Sequence, residues 1–284
     1  MVYEWGMSSV TSRLASARQA VLVRQHHLGA FEDPAPRPAF PADPVMRWGR
    51  WGLLPVSSLM RVQTSDPVVA ITYDDGPDPE QTPAILDVLA ERGVPATFFV
   101  LSDRAETYPA IIERMVREGH EVALHGIDHS RLTEVPGVEA VRRLREAKLR
   151  VEDVSGRPVR FYRPTYGAVG ISTFAAARAL GMEVVIWSAW AMDWLNAPVE
   201  EVAARGAGAL HPGAILLLHD TTDDPAAAEA GTLPTFSRAE LVRRILDGAD
   251  AAGFRFLRVD NLVRLYPAVR SVTVQRPRPH LPFH

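Results

Sequence analysis

Val68-Val69-Ala70-Ile71-Thr72-Tyr73, followed by Asp74-Asp75-Gly76-Pro77, is the stretch that decides the fold. An apolar run of this length, without polar alternation, suits a strand buried on both faces, the kind a parallel sheet places between layers of helix. The two carboxylates at its exit stand where parallel α/β folds collect their functional groups, at the C-terminal ends of strands. Runs of the same type recur at residues 96–101, 121–124, 159–162, 183–187, 214–218 and 254–259, which makes seven strand candidates. Helical patterns lie between them. Thr82-Pro83 reads as an N-cap and first-turn pair, Ile85, Leu86, Val88 and Leu89 as a buried stripe, and Gly93 as a stop. Ser237 with Glu240 reads as a capping box opening a helix that Gly253 ends. Repeated strand–helix alternation predicts an α/β fold with a parallel sheet, and a closed (β/α) barrel is the preferred form.

Outside this core the chain changes character. Pro34, Pro36, Pro38, Pro41 and Pro44 favour an extended strap, and the expected organisation is an N-terminal extension (1–65), a catalytic domain (66–265) and a C-terminal tail (266–284) on the surface. Residues 8–25, with Arg13, Arg18 and Arg24 among apolar pieces, read as an amphipathic helix packed on its own domain or lying on a membrane surface. No export signal or membrane span is legible, so the chain as written is expected in the cytoplasm, with peripheral membrane attachment and export by another route left open. Oligomeric state is not legible.

Across 284 residues, 47% are hydrophobic and 23% charged, with a formal net charge of −3, so the basic surface that nucleic acid requires is missing. The chain has no cysteine; any metal must sit on histidine and carboxylate.

The polar residues of interest fall at strand exits. Asp74 and Asp75 follow the first run; adjacent carboxylates repel, and a cation stabilises them, although such a pair also caps ordinary turns. His125 and His129 follow the third run, four apart, a spacing that brings two imidazoles to one side of a helical turn and suits a shared metal. His120 precedes that run and reads as structural. Arg163, between Tyr162 and Pro164, is placed to orient a carboxylate bidentately, against the alternative of a surface salt bridge. His219, emerging from the apolar sixth run, suits a general acid, against the alternative of a satisfied buried histidine. Asp193 comes shortly after the fifth run.

Together, Ile71-Thr72-Tyr73-Asp74-Asp75-Gly76-Pro77, His125-Gly126-Ile127-Asp128-His129, Arg163-Pro164-Thr165-Tyr166-Gly167, Asp193-Trp194 and Leu217-Leu218-His219-Asp220 resemble the five ordered motifs of the polysaccharide deacetylases, the NodB-homology proteins of carbohydrate esterase family four. The resemblance covers roughly residues 66–265 and implies a distorted barrel of strand–helix units. It implies one divalent metal, most often zinc, on Asp75, His125 and His129. Asp74 would be the general base, oriented by Arg163, and His219 the general acid, supported by Asp193. Tyr166 would offer its backbone N–H to an oxyanion. The chain departs from the pattern at Gly126, where the family often has Ser or Thr, at Thr165, which replaces a second proline, and at Trp190, where many members have Asp. The metal and acid–base positions survive these departures, which bear instead on the substrate groove.

The expected activity is metal-dependent hydrolysis of N-acetyl groups on a glycan or amino sugar, with sugar O-acetyl esterase activity as a close variant. An alternative is a catalytically silent carbohydrate-binding protein on the same fold, with Trp190 and Trp194 as stacking surfaces, although these side chains equally suit core packing. Two histidines and a carboxylate also make a non-haem iron site, but oxygen activation needs no hydrolytic pair of the Asp74 and His219 kind.

Overall fold

All seven expected runs reappear as strands in the computed structural model, which describes residues 21–23, 56–221 and 233–271. In chain order the strands are β1 (Val21–Val23), β2 (Ser58–Val62), β3 (Val68–Asp74), β4 (Thr97–Leu101), β5 (Glu121–Gly126), β6 (Phe161–Tyr162), β7 (Glu183–Val184), β8 (Ala189–Trp190), β9 (Ile215–His219), β10 (Arg255–Phe256) and β11 (Ala268–Ser271). The helices are α1 (Gln81–Arg92), α2 (Ser102–Thr107), α3 (Pro109–Arg117), α4 (Gly137–Ser155), α5 (Ile171–Ala179), α6 (Val199–Gly208), α7 (Arg238–Ala251) and α8 (Val259–Leu265). Seven strands pair in the order β7-β6-β5-β4-β3-β9-β8, every pair parallel, and β10 adds to the start of β3.

The chain itself forces this sheet to curl into a half-barrel. β7 and β8 lie at opposite edges, yet five peptide steps separate them, a reach of about 18 Å at most. Across a flat sheet those edges would stand about 29 Å apart. The expected strand at 183–187 is therefore two short ones: residues 183–184 pair with β6 and residues 189–190 with β9, and the chain between them crosses the opening. β2 seals the seam. Ile186 N–H donates to the Leu59 carbonyl at 2.8 Å and Val62 N–H to that of Gly213 at 2.9 Å.

Side-chain alternation sorts the core into two layers. Val69, Ile71 and Tyr73 face the helices with Phe98, Leu124, Leu216 and Leu218. Val68 and Ala70 face the barrel interior with Phe99, Ala123, Phe161 and Ile215. By the two-residue period, Thr72, Asp74, His125, Arg163 and His219 share the interior face. Asp74, His125, Arg163 and His219 are the interior positions nearest their strand exits, with Thr72 one pair deeper, so the mouth is polar while the floor is apolar.

Several local expectations change. Thr82 does not cap α1: its hydroxyl donates to Asp220 Oδ2 at 2.6 Å and accepts from Asp78 N–H. Asp78 Oδ1 instead takes the N–H groups of Glu80 and Gln81. The stripe Ile85, Leu86, Val88 and Leu89 is buried and Gly93 ends the helix at φ 62°. Ser237 caps α7 by accepting from Glu240 N–H, and Gly253 lies just past its end at φ 75°.

Residues 21–23 are a strand paired parallel with β11, not part of a helix; Val-Leu-Val prefers the pleated edge that β11 offers. The remainder of the expected 8–25 helix and the proline strap lie outside the described residues. The expected surface tail begins inside the fold, since β11 pairs antiparallel with β2 and buries Val269 and Ser271. Among the described residues, no helix is long and apolar enough to cross a membrane.

His120 lies at the foot of β5, away from the polar mouth, and is buried with Nδ1 accepting from Ala96 N–H at 3.1 Å. Burial lowers its pKa to about 4, so the unfolded chain takes up a proton on this ring first. Its contribution to stability should be intact above pH 6.5 and lost as pH falls towards 4, by up to about 3 kcal/mol. Urea titrations at pH 7 and pH 5 should show that slope, and His120→Asn, which keeps an acceptor, should flatten it relative to the unaltered chain.

Candidate metal and acid–base site

β3 and β9 are in register, with Asp74 opposite His219, so two candidate proton-transfer groups stand side by side at the mouth. Between Asp74 and Gly76 the chain leaves the strand with Asp75 at φ 77°, a left-handed conformation that costs a non-glycine residue energy. That turn breaks the strand alternation and brings the second carboxylate to the same side as the first.

Asp75 Oδ1 lies 3.2 Å from Nε2 of His125 and 3.2 Å from Nε2 of His129. These three side chains offer ligand atoms all within 4.8 Å of one another. The two histidines are brought together by a strand exit and a bend rather than by a helical turn, because His125 is still in β5 and Gly126 redirects the chain at φ 158°. His125 Nδ1 lies 2.7 Å from the Arg163 carbonyl oxygen, so that nitrogen carries the proton and donates, and Nε2 turns its lone pair towards Asp75. A buried carboxylate oxygen without a hydrogen-bond partner, faced by an imidazole lone pair, is an arrangement that a cation completes. Burial opposes the Asp75 charge, but with no cation present the protonated forms of His125, His219 and His129 would hold the carboxyl well below its usual range.

Two ion-paired arms flank this triad. In the first, Arg163 is wholly buried and its Nη1 donates to Asp74 Oδ1 at 2.6 Å and to Thr72 Oγ1 at 2.8 Å. This is a single-nitrogen contact, not the expected bidentate one, because the same Nη1 also serves Thr72. The guanidinium stacks 4.0 Å over the Phe99 ring, and burial lowers its pKa. In the second arm, Asp193 Oδ1 accepts from His219 Nδ1 at 2.9 Å while Oδ2 accepts from the His219 backbone N–H at 2.7 Å. Burial opposes a charge on His219, but Asp193, with Asp75 and Asp74 behind it, raises its pKa to about 9. The ring is therefore protonated at neutral pH.

Of the other expected groove residues, Tyr166 is 42% exposed, sits at φ 56° and packs its ring 4.3 Å from that of His129. Trp194 meets His219 edge-on at 5.6 Å. Trp190 lies half-buried in β8, paired with Leu217.

Comparison with known proteins gives the family. A family profile described as polysaccharide deacetylase matches residues 61–185. A chitooligosaccharide deacetylase of Sinorhizobium fredii is 37% identical over 161 residues, 56% of this chain and 75% of its own. A peptidoglycan-N-acetylglucosamine deacetylase of Bacillus cereus is 30% identical over 206 residues, covering 72% of this chain and 91% of the relative. Among solved structures, a peptidoglycan N-acetylglucosamine deacetylase in complex with an N-hydroxybenzamide derivative superposes with a TM-score of 0.66 at 26% identity, over 76% of this chain and 95% of that one. The chain belongs to the polysaccharide deacetylase family.

As a polysaccharide deacetylase homologue, the chain shows physical reasons for two of its departures. A Cβ on Gly126 would come within 2.9 Å of the Asp128 carbonyl oxygen, so this bend admits only glycine without adjustment. Thr165 Oγ1 donates to the Ser130 carbonyl oxygen at 2.8 Å, tying the Arg163 loop to the His129 loop in a way that proline lacks.

Sequence reasoning missed Arg238, whose Nη1 donates to Asp193 Oδ2 at 2.7 Å and to the Asp193 carbonyl oxygen at 2.8 Å. Its one legible signal was its place directly after the Ser237 cap. The same reasoning placed Asp220 at the end of the sixth run but gave it no role; the residue is buried against the Asp75–Gly76 turn with its pKa raised to about 7, chiefly by burial. Gly76 makes that packing possible, since a Cβ there would stand 1.9 Å from Asp220 Oδ2. Asp220 cannot retreat freely, being buried and held by Thr82. Gly76→Ala should therefore cost about 1–3 kcal/mol, read as a lowered denaturation midpoint with an unchanged denaturant slope.

Proposed function

We propose that this protein hydrolyses N-acetyl groups on an amino-sugar residue of a glycan, using a divalent metal held by Asp75, His125 and His129. The observation that supports this best is the pairing at one mouth of a carboxylate braced by a buried arginine and a histidine braced by a buried aspartate, on either side of a three-residue metal triad. A binding module needs no such pair. The related chitooligosaccharide and peptidoglycan deacetylases support the same substrate class.

When bound, a divalent cation, zinc by family habit, supplies Lewis acidity towards the acetyl carbonyl and acidifies water. Asp74 takes the proton from the attacking water, and Arg163 holds that carboxylate aimed into the mouth. Tyr166 offers its backbone N–H where negative charge develops on the acetyl oxygen. His219, protonated and fixed through Nδ1 by Asp193, delivers its proton to the departing amine; acetate and a free amino sugar are the products. Arg238 keeps Asp193 charged and in place. An O-acetyl substrate would need the same groups but lean less on His219, because an alkoxide or alcohol leaves more readily than an amide nitrogen.

Acetate release from N-acetylglucosamine oligomers tests the reading directly, and full turnover by a preparation shown to be metal-free would overturn it. Asp75→Asn should weaken metal retention, whereas Asp74→Asn should retain metal and lose about a hundredfold to ten-thousandfold in turnover. Metal content and acetate release measured on the same folded samples separate holding from reacting. An unchanged rate for Asp74→Asn would remove it as the base.

The acid makes a pH prediction. A general acid works while protonated, so amide hydrolysis should persist through neutral pH and fall as pH rises through about 9. An acetyl ester with a good leaving group should lack that alkaline limb. His219→Ala should impair the amide far more than the ester; equal losses on both would exclude the acid role.

A further inference from the structure

Arg131 is a feature of the mouth that the chemistry above leaves unused. It follows His129 by two residues, and its guanidinium carbon lies 3.8 Å from the centroid of the Tyr166 ring. That ring in turn packs against the imidazole of His129. A fixed cation thus sits one aromatic side chain away from the triad. Its side chain is 33% exposed, and the nearest carboxylate contact is Glu134 at 3.9 Å from Nε, beyond hydrogen-bond reach. Neighbouring Arg143 differs, since both Asp128 oxygens accept from its Nη2. Among the described residues, no hydrogen bond engages the paired Nη nitrogens of Arg131. Stacking on Tyr166 restrains the guanidinium plane, so little freedom is lost when it binds a ligand.

We infer that Arg131, carried on Tyr166, is a specificity-determining residue that pairs with a carboxylate on the substrate, so that the preferred substrate is an N-acetyl amino sugar flanked by or bearing a carboxylate. The planar fork of an arginine matches a carboxylate through two parallel N–H donors and does so poorly with a neutral amide or hydroxyl. The inference rests on the deacetylase reading of the site.

The test uses three oligosaccharides of one length: an N-acetylglucosamine oligomer, one in which alternate sugars are N-acetylmuramic acid with the carboxyl free, and the same oligomer with that carboxyl amidated. Acetate release by the metal-loaded full chain should show a kcat/KM about tenfold higher for the free acid than for the amide, carried mainly by KM. Arg131→Gln should erase the ratio and Arg131→Lys should keep part of it. Arg142→Gln, on the exposed face of α4, should leave it intact. A merely structural role for the Arg131 stack would lower both rates and leave their ratio unmoved. Equal rates for acid and amide in the unaltered chain, or an unchanged ratio in Arg131→Gln, overturn the inference. Should no oligomer release acetate, the deacetylase reading fails, and affinity for the same acid and amide forms then decides: tighter binding of the acid, lost in Arg131→Gln, upholds the carboxylate site, and equal affinity overturns it.

Discussion

A guanidinium with no exposure to solvent stands at the centre of the barrel, and the rest of the mouth is arranged around it. An unpaired charge there would cost several kcal/mol, so Arg163 requires everything that touches it: the Asp74 carboxylate, the Thr72 hydroxyl and the Phe99 face. The partners come from two neighbouring strands and the arginine from a third. Thr72 and Asp74 are on β3, Phe99 on β4, and Arg163 leaves β6. Its backbone carbonyl also accepts a hydrogen bond from His125 Nδ1, so one residue braces the Asp74 carboxylate through its side chain and the His125 imidazole through its main chain. Displacing Arg163 would therefore disturb both side chains together.

The second arm solves the same problem with the opposite sign. Asp193 is a buried anion, held ionised against burial by His219 and Arg238. The first arm buries a cation to steady a carboxylate; the second buries a carboxylate to steady a cation. Both place the balancing charge behind the reactive group and away from the mouth. Electrostatic preorganisation of this kind is effective because the supporting dipoles need not move during reaction.

Much of this was legible in the sequence because strand geometry is a two-residue repeat. Once Val68–Asp74 is read as a strand, the interior positions at its end follow, and the same parity applies to His125, Arg163 and His219. What could not be read depends on contacts distant in sequence. Arg238 reaches Asp193 across 45 residues, and its place just after a helix cap says nothing of that distant partner. The split of 183–187 into β7 and the chain leading to β8 follows from barrel closure, a property of the whole sheet. The histidine pair was correctly brought together but for the wrong local reason, because a spacing of four fits a bend after a strand as well as a helical turn. The Asp75 conformation was hidden too: aspartate tolerates a positive φ, but no residue type announces one.

The groups assigned to bond chemistry and those assigned to selection occupy structurally different ground. Asp74 and His219 are locked opposite each other by the β3–β9 register, and a one-residue slip of either strand would turn its own side chain out of the interior. Tyr166, Arg131 and Trp194 stand on bends and short turns, where substitution changes a surface without changing a ladder of hydrogen bonds. Change in the family can therefore move the substrate wall while the reacting pair stays fixed by the core. In this chain Thr165 and Gly126 do more than vary the wall. Thr165 ties the loop bearing Tyr166 to the loop bearing His129 and Arg131, and Gly126 sets the bend from which the latter departs. Two of the three departures from the family pattern, Gly126 and Thr165, thus lie in the connections that join and orient these two loops, whereas Trp190 lies in β8.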